Sequence, residues 1–350
     1  MRFKADLRHP QQFARLIASL SPLGKIATLK LKPDAVHLIC MADGTKSGVQ
    51  VWSQIQNSSL FDLDSLRLDS NHHNEIYLEV SLDALSRALR ELPASRSNSR
   101  KRAGPDRKAP AKARTPSSPS ASSRRCVPVP FLLGGRREVE LLSPFVGQSR
   151  FGKKVEIVQD VAVRVKKAAD IEQLTEPLCP APEVIISLPD LQQLRTVVER
   201  LKTVSPFVTI RANNQGLLKF RAEADEANVE TEWRNLKRPQ SGADDIVAEI
   251  EDPSHLFKVT VEAKSLLKFL ATYQVASSAI ACTFVRVLLS LAEPEWILTR
   301  TEGMCGEDTG LCSDHCAIFY VYIGQSKDRV EGGVLTFFVP AVKLDGDDDV

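Results

Sequence analysis

Two sets of side chains in this sequence could bind metal ions. The first holds thiol and imidazole groups of the kind that bind Zn²⁺ tetrahedrally: Cys305, Cys312, His315 and Cys316. The second is a run of carboxylates of the kind that two-metal nucleases use: Asp345, Asp347, Asp348 and Asp349. The first set lacks a Cys-x-x-Cys pair, and the second is a charged run without a supporting shell of side chains. The sequence therefore predicts ordinary thiols and a solvated acidic tail, with no metal and no other cofactor.

Other catalytic arrangements are equally weak in this sequence. No glycine-rich phosphate loop of the Walker type occurs, so we do not expect the chain to hydrolyse ATP. His72 and His73 stand together in a polar turn, where solvated imidazoles are expected rather than a catalytic base. The sequence predicts a protein that is not an enzyme. A metal-dependent nuclease on an α+β scaffold stays open as an alternative, which cleavage of DNA with Mg²⁺ would favour.

Lysines and arginines on the polar faces of predicted helices are the stronger chemical signal. Such side chains contact the phosphates of DNA without reading its sequence, and each contact makes binding more sensitive to salt. The alternative for each of them is a solvated surface residue, since Asp83 and Glu199 share these faces. The candidate DNA-contacting residues are Arg15, Lys25, Arg87, Arg90, Arg195, Lys202, Lys264 and Lys268.

The segment Asn74–Glu91 must position two of these arginines. Its first half has apolar residues at every second position, which is typical of a half-buried strand: Ile76, Leu78 and Val80. Ser81 then occupies an N-cap position, and leucines follow at helical spacing: Leu82, Leu85, Leu89 and Leu92. The pattern predicts a strand that leads into a helix, with an outward polar face formed by Asp83, Ser86, Arg87 and Arg90.

The same pattern recurs 181 positions later in the sequence. Three core positions of the segment have apolar counterparts: Val80 and Val261, Leu85 and Leu266, Leu89 and Leu270. The first predicted helix has counterparts too: Phe13, Leu16, Ile17 and Leu20 correspond to Leu194, Val197, Val198 and Leu201. Trp52 corresponds to Trp233. A constant offset over helices and strands indicates two copies of one module, each an α+β unit with an antiparallel sheet and two helices on one face.

The composition is that of a globular protein, with 43% hydrophobic and 26% charged residues among 350. No apolar run reaches the roughly 18 to 20 residues that span a bilayer. Seven cysteines fit reduced thiols of the cytosol or nucleus. The predicted limits are 1–165 for the N-terminal module, 166–183 for a connector, 184–341 for the C-terminal module and 342–350 for an acidic tail.

Residues 93–127 interrupt the first module with a basic stretch that is rich in Ser and Pro and is predicted to be disordered. Residues 95–125 hold ten Lys or Arg and one acid, which gives +9; because the whole chain carries +2, the remainder carries 2 − 9 = −7. A nuclear-import or DNA-contacting role and a linker without such a role both stay open. DNA contact by the folded part must therefore come from local patches.

Several segments of the chain resemble one known family, the Hus subunit of the nine-one-one DNA-damage checkpoint clamp, in its fungal type. The specific motif is the strand at 74–81 followed by Leu85–Leu89. Matches elsewhere run nearly from end to end, and they include residues 29–34, 184–189, 197–202 and 332–341.

The resemblance implies the DNA sliding-clamp fold, in which three two-domain subunits close a ring, helices line the hole and sheets form the outer wall. It implies several partners: two other clamp subunits (Rad-nine-like and Rad-one-like), a clamp loader, double-stranded DNA bound without sequence preference, and repair and checkpoint proteins, with no membrane. The implied location is the nucleus, with the cytoplasm left open, and no catalytic residues come with it. The alternative is a homotrimeric replication processivity clamp, which a self-trimer would reveal.

Two segments depart from the family pattern. After the helix that contains Leu85–Leu89 the family continues with a basic strand, whereas this chain has residues 93–127 there. An atypical insert at 283–313 stands where the family has a few residues. We hypothesise that 284–312 is a translated intron, because codons for Thr283–Val285 can hold a splice donor, codons for Leu311–Ser313 can hold an acceptor, and removal keeps the frame.

Overall fold

A computed structural model describes most of both predicted modules. The described residues are 2–41, 48–90, 129–133, 138–143, 157–167, 170, 174, 176–177, 184–238, 253–283, 316–323 and 332–342. The basic insert predicted at 93–127 lies outside them. The atypical insert (283–313) and the acidic tail (342–350) also lie outside them, apart from Thr283 and Val342.

The N-terminal half begins with a strand and a helix, continues with antiparallel strands, and places a second long helix after its sixth strand. Its elements are β1 (Arg2–Leu7), α1 (Pro10–Leu20), β2 (Ile26–Leu31), β3 (Ala35–Met41), β4 (Gln50–Gln56), α2 (Asn57–Leu60), β5 (Phe61–Asp69), β6 (Ile76–Ser81), α3 (Leu82–Arg90), β7 (Val129–Leu133), β8 (Glu138–Ser143) and β9 (Ile157–Val165).

The C-terminal half repeats this order, except that no counterpart of α2 and β5 lies among its described residues. Its elements are β10 (Val184–Ser187), α4 (Leu191–Val204), β11 (Phe207–Ala212), β12 (Leu218–Ala224), β13 (Ala227–Trp233), β14 (Phe257–Glu262), α5 (Ala263–Leu270), a 3-10 turn (Ala271–Gln274), β15 (Ala276–Thr283), β16 (Cys316–Ile323) and β17 (Gly333–Pro340). Helices again follow the first strand and the strand before the last three, so the predicted α+β fold of two repeated modules is confirmed.

Local sequence explains where the two long first helices begin. Pro10 opens α1, because its fixed φ suits the first helical turn and its missing N–H would have no partner there. Asp190 caps α4, and its carboxylate accepts a hydrogen bond of 3.1 Å from the backbone N–H of Gln193. Ser81 has the predicted capping role at α3, since its hydroxyl accepts a hydrogen bond of 3.4 Å from the N–H of Ala84.

All the strand pairs among the described residues are antiparallel, and they form two sheets. The smaller sheet has four strands in the order β13-β12-β11-β14. The larger has 13 strands in the order β10-β15-β16-β17-β4-β3-β2-β6-β9-β8-β7-β1-β5. The larger sheet therefore passes from one module into the other without a break.

The two modules are connected by the antiparallel pairing of β17 with β4. Its register runs from Gly333 opposite Ile55 to Phe338 opposite Gln50. Phe337 and Val51 face each other on the helix side of the sheet, and both are fully buried. A continuous ladder with a buried apolar seam joins the two modules rigidly.

The helices cover one face of the sheets, and the predicted core positions are buried there. Within α3, Leu85 and Leu89 are buried, as are their repeats Leu266 and Leu270 in α5. In the first helices, the buried positions are Phe13, Leu16, Ile17 and Leu20, and their counterparts Leu194, Val198 and Leu201 are buried too, with Val197 packed at the margin. The 181-residue repeat in the sequence is thus a repeat of core packing.

Trp52 and Trp233 are not structural counterparts, so that part of the predicted repeat is wrong. Across the first sheet, Thr28 pairs with Ile39, which pairs with Trp52. In the second module, the repeat residue Thr209 pairs with Arg221, which pairs with Glu230. Trp52 packs on the sheet face away from the helices, while Trp233 packs against the core. Position 52 + 181 = 233 lies three residues beyond Glu230, and an odd shift of this kind reverses the side-chain face, which a fixed offset in the sequence cannot reveal.

A further prediction, that of the outward face of α3, needs correction. Ser86 was expected on the outward face of α3, but it is buried, and its hydroxyl has no hydrogen-bond partner among the described residues. One long strand, β5, follows the short helix α2. The strand expected after α3 is β7, which pairs with β1 from Lys4 opposite Leu132 to Leu7 opposite Val129.

The strands on either side of the atypical insert form one hairpin. Thr283 at the end of β15 lies opposite Ala317 near the start of β16, and the pairing continues to Ala276 opposite Ile323. The two strands are therefore direct neighbours although 284–315 separates them in the sequence. Among the described residues, no helix has the length and apolar character needed to cross a membrane.

Candidate nucleic-acid interface

The helix layer carries all eight predicted DNA-contacting residues except Lys25, which lies in the loop after α1. Helices α1 and α3 contact each other, as do α4 and α5, and the 3-10 turn after α5 contacts α1 across the junction between the modules. Because each helix turns its apolar stripe to the sheet, its charged side chains face away from the core. The long basic side chains of both modules can therefore meet at the junction.

Five of the predicted residues line one groove at this junction. Arg90 comes from the end of α3, and the other four come from the second module: Arg195, Lys202, Lys264 and Lys268. The remaining lining residues are neutral: Ala18, Ser19, Pro22, Leu267, Ala271 and Gln274. We call this surface the junction groove. Five cations without a carboxylate in the lining make it a local patch of positive potential.

A second groove adjoins the first and shares Pro22 and Lys268 with it. It contains the predicted Lys25 and also Lys166, which was not among the candidates chosen from the sequence. The ammonium group of Lys166 lies 3.3 Å from the carboxylate of Glu79. Lys25 and Lys268 therefore extend the positive surface beyond the junction groove, while Lys166 is compensated by Glu79.

Only part of the charge in the junction groove is compensated by neighbouring acids. Arg195 makes an ion pair of 2.9 Å with Glu199, and its guanidinium lies 5.5 Å from the centre of the Tyr273 ring. Lys264 lies 3.9 Å from Glu262. Within the part of the chain that the structure describes, no carboxylate is within ion-pair distance of the other cations in the groove: Arg90, Lys202 and Lys268.

The other two predicted residues lie outside both grooves. Arg15 is exposed on α1, and Arg87 is exposed on α3, where its Nε donates to the backbone carbonyl of Asp83 at 3.4 Å. The structure therefore brings six of the eight predicted residues together and leaves Arg15 and Arg87 apart.

Several polar residues of these grooves were not predicted from the sequence. Ser19 and Gln274 line the junction groove, and its neighbour is lined by Ser21, Thr28, Glu79 and Lys166. Ser19 lies within an apolar helix stripe, and Gln274 lies in a 3-10 turn, so no periodic pattern marks either of them. Lys166 follows β9, and only the pairing of β9 with β6 brings it beside Glu79. No signal in the sequence alone could have found these contacts.

The grooves are suited to phosphate contact, because lysine and arginine on helix surfaces neutralise phosphates irrespective of base sequence. No group of three or more His, Cys, Asp or Glu that could hold a metal ion occurs among the described residues. Of the predicted zinc candidates only Cys316 is described, and it is buried in an apolar cluster with Ile185, Ile318 and Phe338. The carboxylates from Asp345 to Asp349 lie outside the described residues.

Two repeated modules, a sheet continuous between them and a basic helix layer define the class of DNA sliding clamps. The sequence model of one family, described as Hus1-like protein, matches residues 1–292. The chain therefore belongs to the Hus1-like family. It is accordingly a subunit of the checkpoint clamp and not of a homotrimeric replication clamp, as the resemblance predicted.

Individual relatives agree with this assignment. The chain is 26% identical over 345 residues to the checkpoint protein hus1 of Schizosaccharomyces pombe, covering 97% of this chain and 98% of that protein. It is 29% identical over 288 residues to the human checkpoint protein HUS1, covering 81% of this chain and 91% of that protein. A checkpoint protein hus1 homolog of Dictyostelium discoideum is 23% identical over 290 residues, 83% of this chain and 93% of that protein.

Proposed function

We propose that this chain is a non-catalytic subunit of a heterotrimeric ring that encircles double-stranded DNA, with a different clamp subunit paired to each of two of its open strand edges, those of β13 and β9. The observation that carries the proposal is the edge of β13. This strand pairs with β12 on one side, and no other described strand pairs with it on the opposite side. An open edge of this kind is a site for pairing with another chain.

The in-chain junction supports this assignment. The fourth strand of the first module, β4, is the counterpart of β13, and its outer edge is occupied by β17, the last strand of the second module. The last strand of the first module, β9, pairs with β6 only at Val163–Val165. Along 157–162 that same edge of β9 has no partner among the described strands. The two open edges thus correspond to the two halves of the closed junction, as a ring of repeated modules requires.

The junction groove supports the DNA-binding part of the proposal. A clamp needs weak contacts with phosphates, because the closed ring rather than affinity keeps it on the duplex. We assign the principal contacts to Arg90, Lys202 and Lys268, which lie in the groove without a paired carboxylate, and weaker ones to Arg195 and Lys264. Lys25, Arg15 and Arg87 are assigned peripheral contacts.

The remaining parts of the proposal follow from the same role. A closed ring must be opened before it can be placed around DNA, so an ATP-driven clamp loader is a required partner. Repair and checkpoint proteins are expected to bind the loaded ring. The proposed location is the nucleus. The proposed module limits are 1–165 and 184–341, with a connector at 166–183 and no catalytic activity in either module.

Co-purification tests the ring. The full chain should recover two different clamp-type chains in equal amounts, and Val229→Asp should remove one of them, because Val229 is 40% exposed on β13 and a carboxylate there would be buried against the partner. Leu63→Asp is the matched control, since Leu63 is 54% exposed on the edge strand β5, to which no partner is assigned. Recovery of both partners with Val229→Asp, in a chain whose circular dichroism is unchanged, would contradict the assignment.

A further inference from the structure

Two neighbouring side chains hold Arg195 at the wall of the junction groove. Its Nε donates to the carboxylate of Glu199 at 2.9 Å, and its guanidinium lies over the ring of Tyr273, 5.5 Å from the ring centre. Glu199 belongs to the same helix, α4, whereas Tyr273 belongs to the 3-10 turn after α5. A cation over the face of an aromatic ring is attracted by the negative charge of that face. The side chain of Arg195 is therefore held in one orientation although it is 39% exposed.

The contact with Glu199 leaves most of the guanidinium of Arg195 available to bind an anion. A guanidinium has five N–H groups, one on Nε and four on the two Nη atoms. Glu199 accepts from Nε alone, and neither Nη atom has a hydrogen-bond partner among the described residues. Two such N–H groups can donate side by side to the oxygens of one phosphate. Arg195 can therefore contact DNA without releasing the partners that orient it.

The ring of Tyr273 lies in a rigid turn. Thr272 is fully buried, and its hydroxyl donates to the backbone carbonyl of Phe269 at 2.7 Å. The backbone N–H of Val275 donates to the carbonyl of Thr272 at 2.9 Å and closes the turn. Tyr273 itself packs against the core. Its ring is therefore ordered without DNA.

This turn is anchored to the sheet that joins the two modules. The ring of Phe269 stacks on that of Phe319 with ring centres 4.2 Å apart, and it meets the ring of Phe337 edge to face at 5.3 Å. All three rings are buried. Phe337 lies in β17 opposite Val51 of β4, where the modules meet. The aromatic packing thus fixes the position of Tyr273 relative to both modules.

The first module shows that its fold does not require this pair of charges on the first helix. At the offset of 181 residues, Ala14 takes the place of Arg195 and Ala18 takes the place of Glu199. Both alanines lie in α1, which buries its apolar stripe as α4 does. Because the equivalent helix folds with two alanines, the charged pair of α4 is explained by its effect on the groove rather than by the needs of the core.

We propose that Tyr273 is a positioning residue for DNA contact: its ring and the carboxylate of Glu199 hold the guanidinium of Arg195 so that the Nη atoms meet a phosphate in the junction groove. This inference rests on the ring proposed above, and it adds a residue that acts through Arg195 without touching DNA. A long side chain that is already oriented loses less conformational freedom when it binds.

Binding of the assembled clamp to duplex DNA, followed by fluorescence anisotropy, tests this role. Tyr273→Leu keeps an apolar side chain and removes the ring, so it should weaken binding about two- to fivefold, the range of an exposed contact between a cation and a ring. Tyr273→Phe keeps the ring and loses only the hydroxyl, which accepts a hydrogen bond from Gln274. This conservative variant should bind like the wild type.

A double variant separates positioning from a purely structural role. Arg195→Ala should weaken binding at least as much as Tyr273→Leu does. Adding Tyr273→Leu to Arg195→Ala should cause no further loss, because the ring acts only through the guanidinium. Arg195→Lys keeps the charge on the surface of α4, but one ammonium cannot bind Glu199 and a phosphate in the same fixed geometry. It should therefore also weaken binding about two- to fivefold.

Three results overturn the inference in clamps that assemble with both partners: wild-type binding by Tyr273→Leu, equal losses with Tyr273→Phe and Tyr273→Leu, or an undiminished loss when Tyr273→Leu is added to Arg195→Ala. If Tyr273→Leu does not assemble, wild-type binding by Arg195→Lys overturns it. The ring proposal stands in each case if the wild-type clamp binds duplex DNA. A wild-type clamp that does not bind duplex DNA overturns both.

Discussion

The fourth strand of each module occupies the same place in the fold, yet the two strands have different surroundings. Strand β4 is paired on both edges and carries Trp52 in an apolar cluster, whereas β13 has one described neighbour and carries Glu230 at the equivalent position. The residue that precedes Trp52 or Glu230 is a valine in both strands, Val51 or Val229. The same strand of the module is thus paired on both edges in one copy and on one edge in the other. The two strands differ in the side chains that face away from the helices.

The helix layers of the two modules differ in a similar way. Four of the five cations in the junction groove come from α4 and α5, and only Arg90 comes from the first module. The first module contributes instead the exposed Arg15 and Arg87, which lie outside the groove. Equivalent helices therefore present unequal charge to the proposed DNA, and the imbalance is greatest where the modules meet.

The largest expected effect comes from reversing charge in the junction groove. In the assembled clamp, Arg90→Glu, Lys202→Glu and Lys268→Glu together should weaken binding to duplex DNA. The magnitude of the salt slope should fall by roughly 0.9 for each DNA phosphate that the variant no longer neutralises. Fluorescence anisotropy at several salt concentrations measures the slope.

The matched control reverses three exposed arginines outside the groove, Arg15, Arg87 and Arg200. It introduces the same change in net charge and should lower the slope less. Equal slopes for the two triple variants would show that the proposed DNA contact is not concentrated at the junction.

A smaller effect is expected from truncating the two equivalent valines. Val51 is fully buried in the closed junction, and Val51→Ala should cost about 1.5 to 3 kcal/mol of unfolding free energy. Val229 is 40% exposed, so Val229→Ala should change it by less than about 0.5 kcal/mol. Urea denaturation of the isolated chain measures both, and similar losses would mean that the β13 edge is already covered.

The caps of the two equivalent first helices should differ by about 1 kcal/mol. Asp190 caps α4 with a hydrogen bond to Gln193, whereas His9 at the corresponding place before α1 makes no side-chain cap. Asp190→Ala should therefore lower the unfolding free energy by about 1 kcal/mol, and His9→Ala should leave it nearly unchanged. A thermal melt compares the two, and an equal loss in both would show that capping is not the cause.

The smallest effect is expected where the hairpins of the modules differ in length. The connection from β7 to β8 is 134–137, whereas 284–315 joins β15 to β16. Deleting 284–313 would leave three residues between Thr283 and its partner Ala317, a common hairpin loop length. The shortened chain should keep its stability and its clamp partners.

A marked loss of stability in the shortened chain would show that the insert contributes to the fold. Sequencing the transcript is the independent check of the intron hypothesis. A transcript that retains codons 284–312 as its dominant form would contradict that hypothesis.

Sequence patterns predicted the elements that depend on nearby residues. Apolar spacing indicated the long helices and the strand–helix unit at 74–91, because a helix or strand face is formed by residues close together in the chain. These patterns failed where contacts with residues distant in the sequence determine whether a side chain is buried. Ser86 has the spacing of an outward residue, but it is buried in a helix that packs against α1.

The candidate site, too, was predictable from the sequence only in part. The residue types were predictable, since cations on polar helix faces can be selected from periodicity alone. Their grouping was not, because Arg90 meets Lys202 and Lys268 only after the two modules join through β4 and β17. Arg15 and Arg87 have equally good sequence patterns and lie elsewhere.

The sequence by itself determined that this chain has two copies of one amphipathic module, since apolar periodicity and a constant offset are local and countable. Only the tertiary structure decided which fourth strand is closed, that Trp52 corresponds to Glu230 and which cations share a groove. Strand register and module packing are set by contacts between distant segments, and a shift of one residue in register exchanges the buried face of a strand for its exposed face.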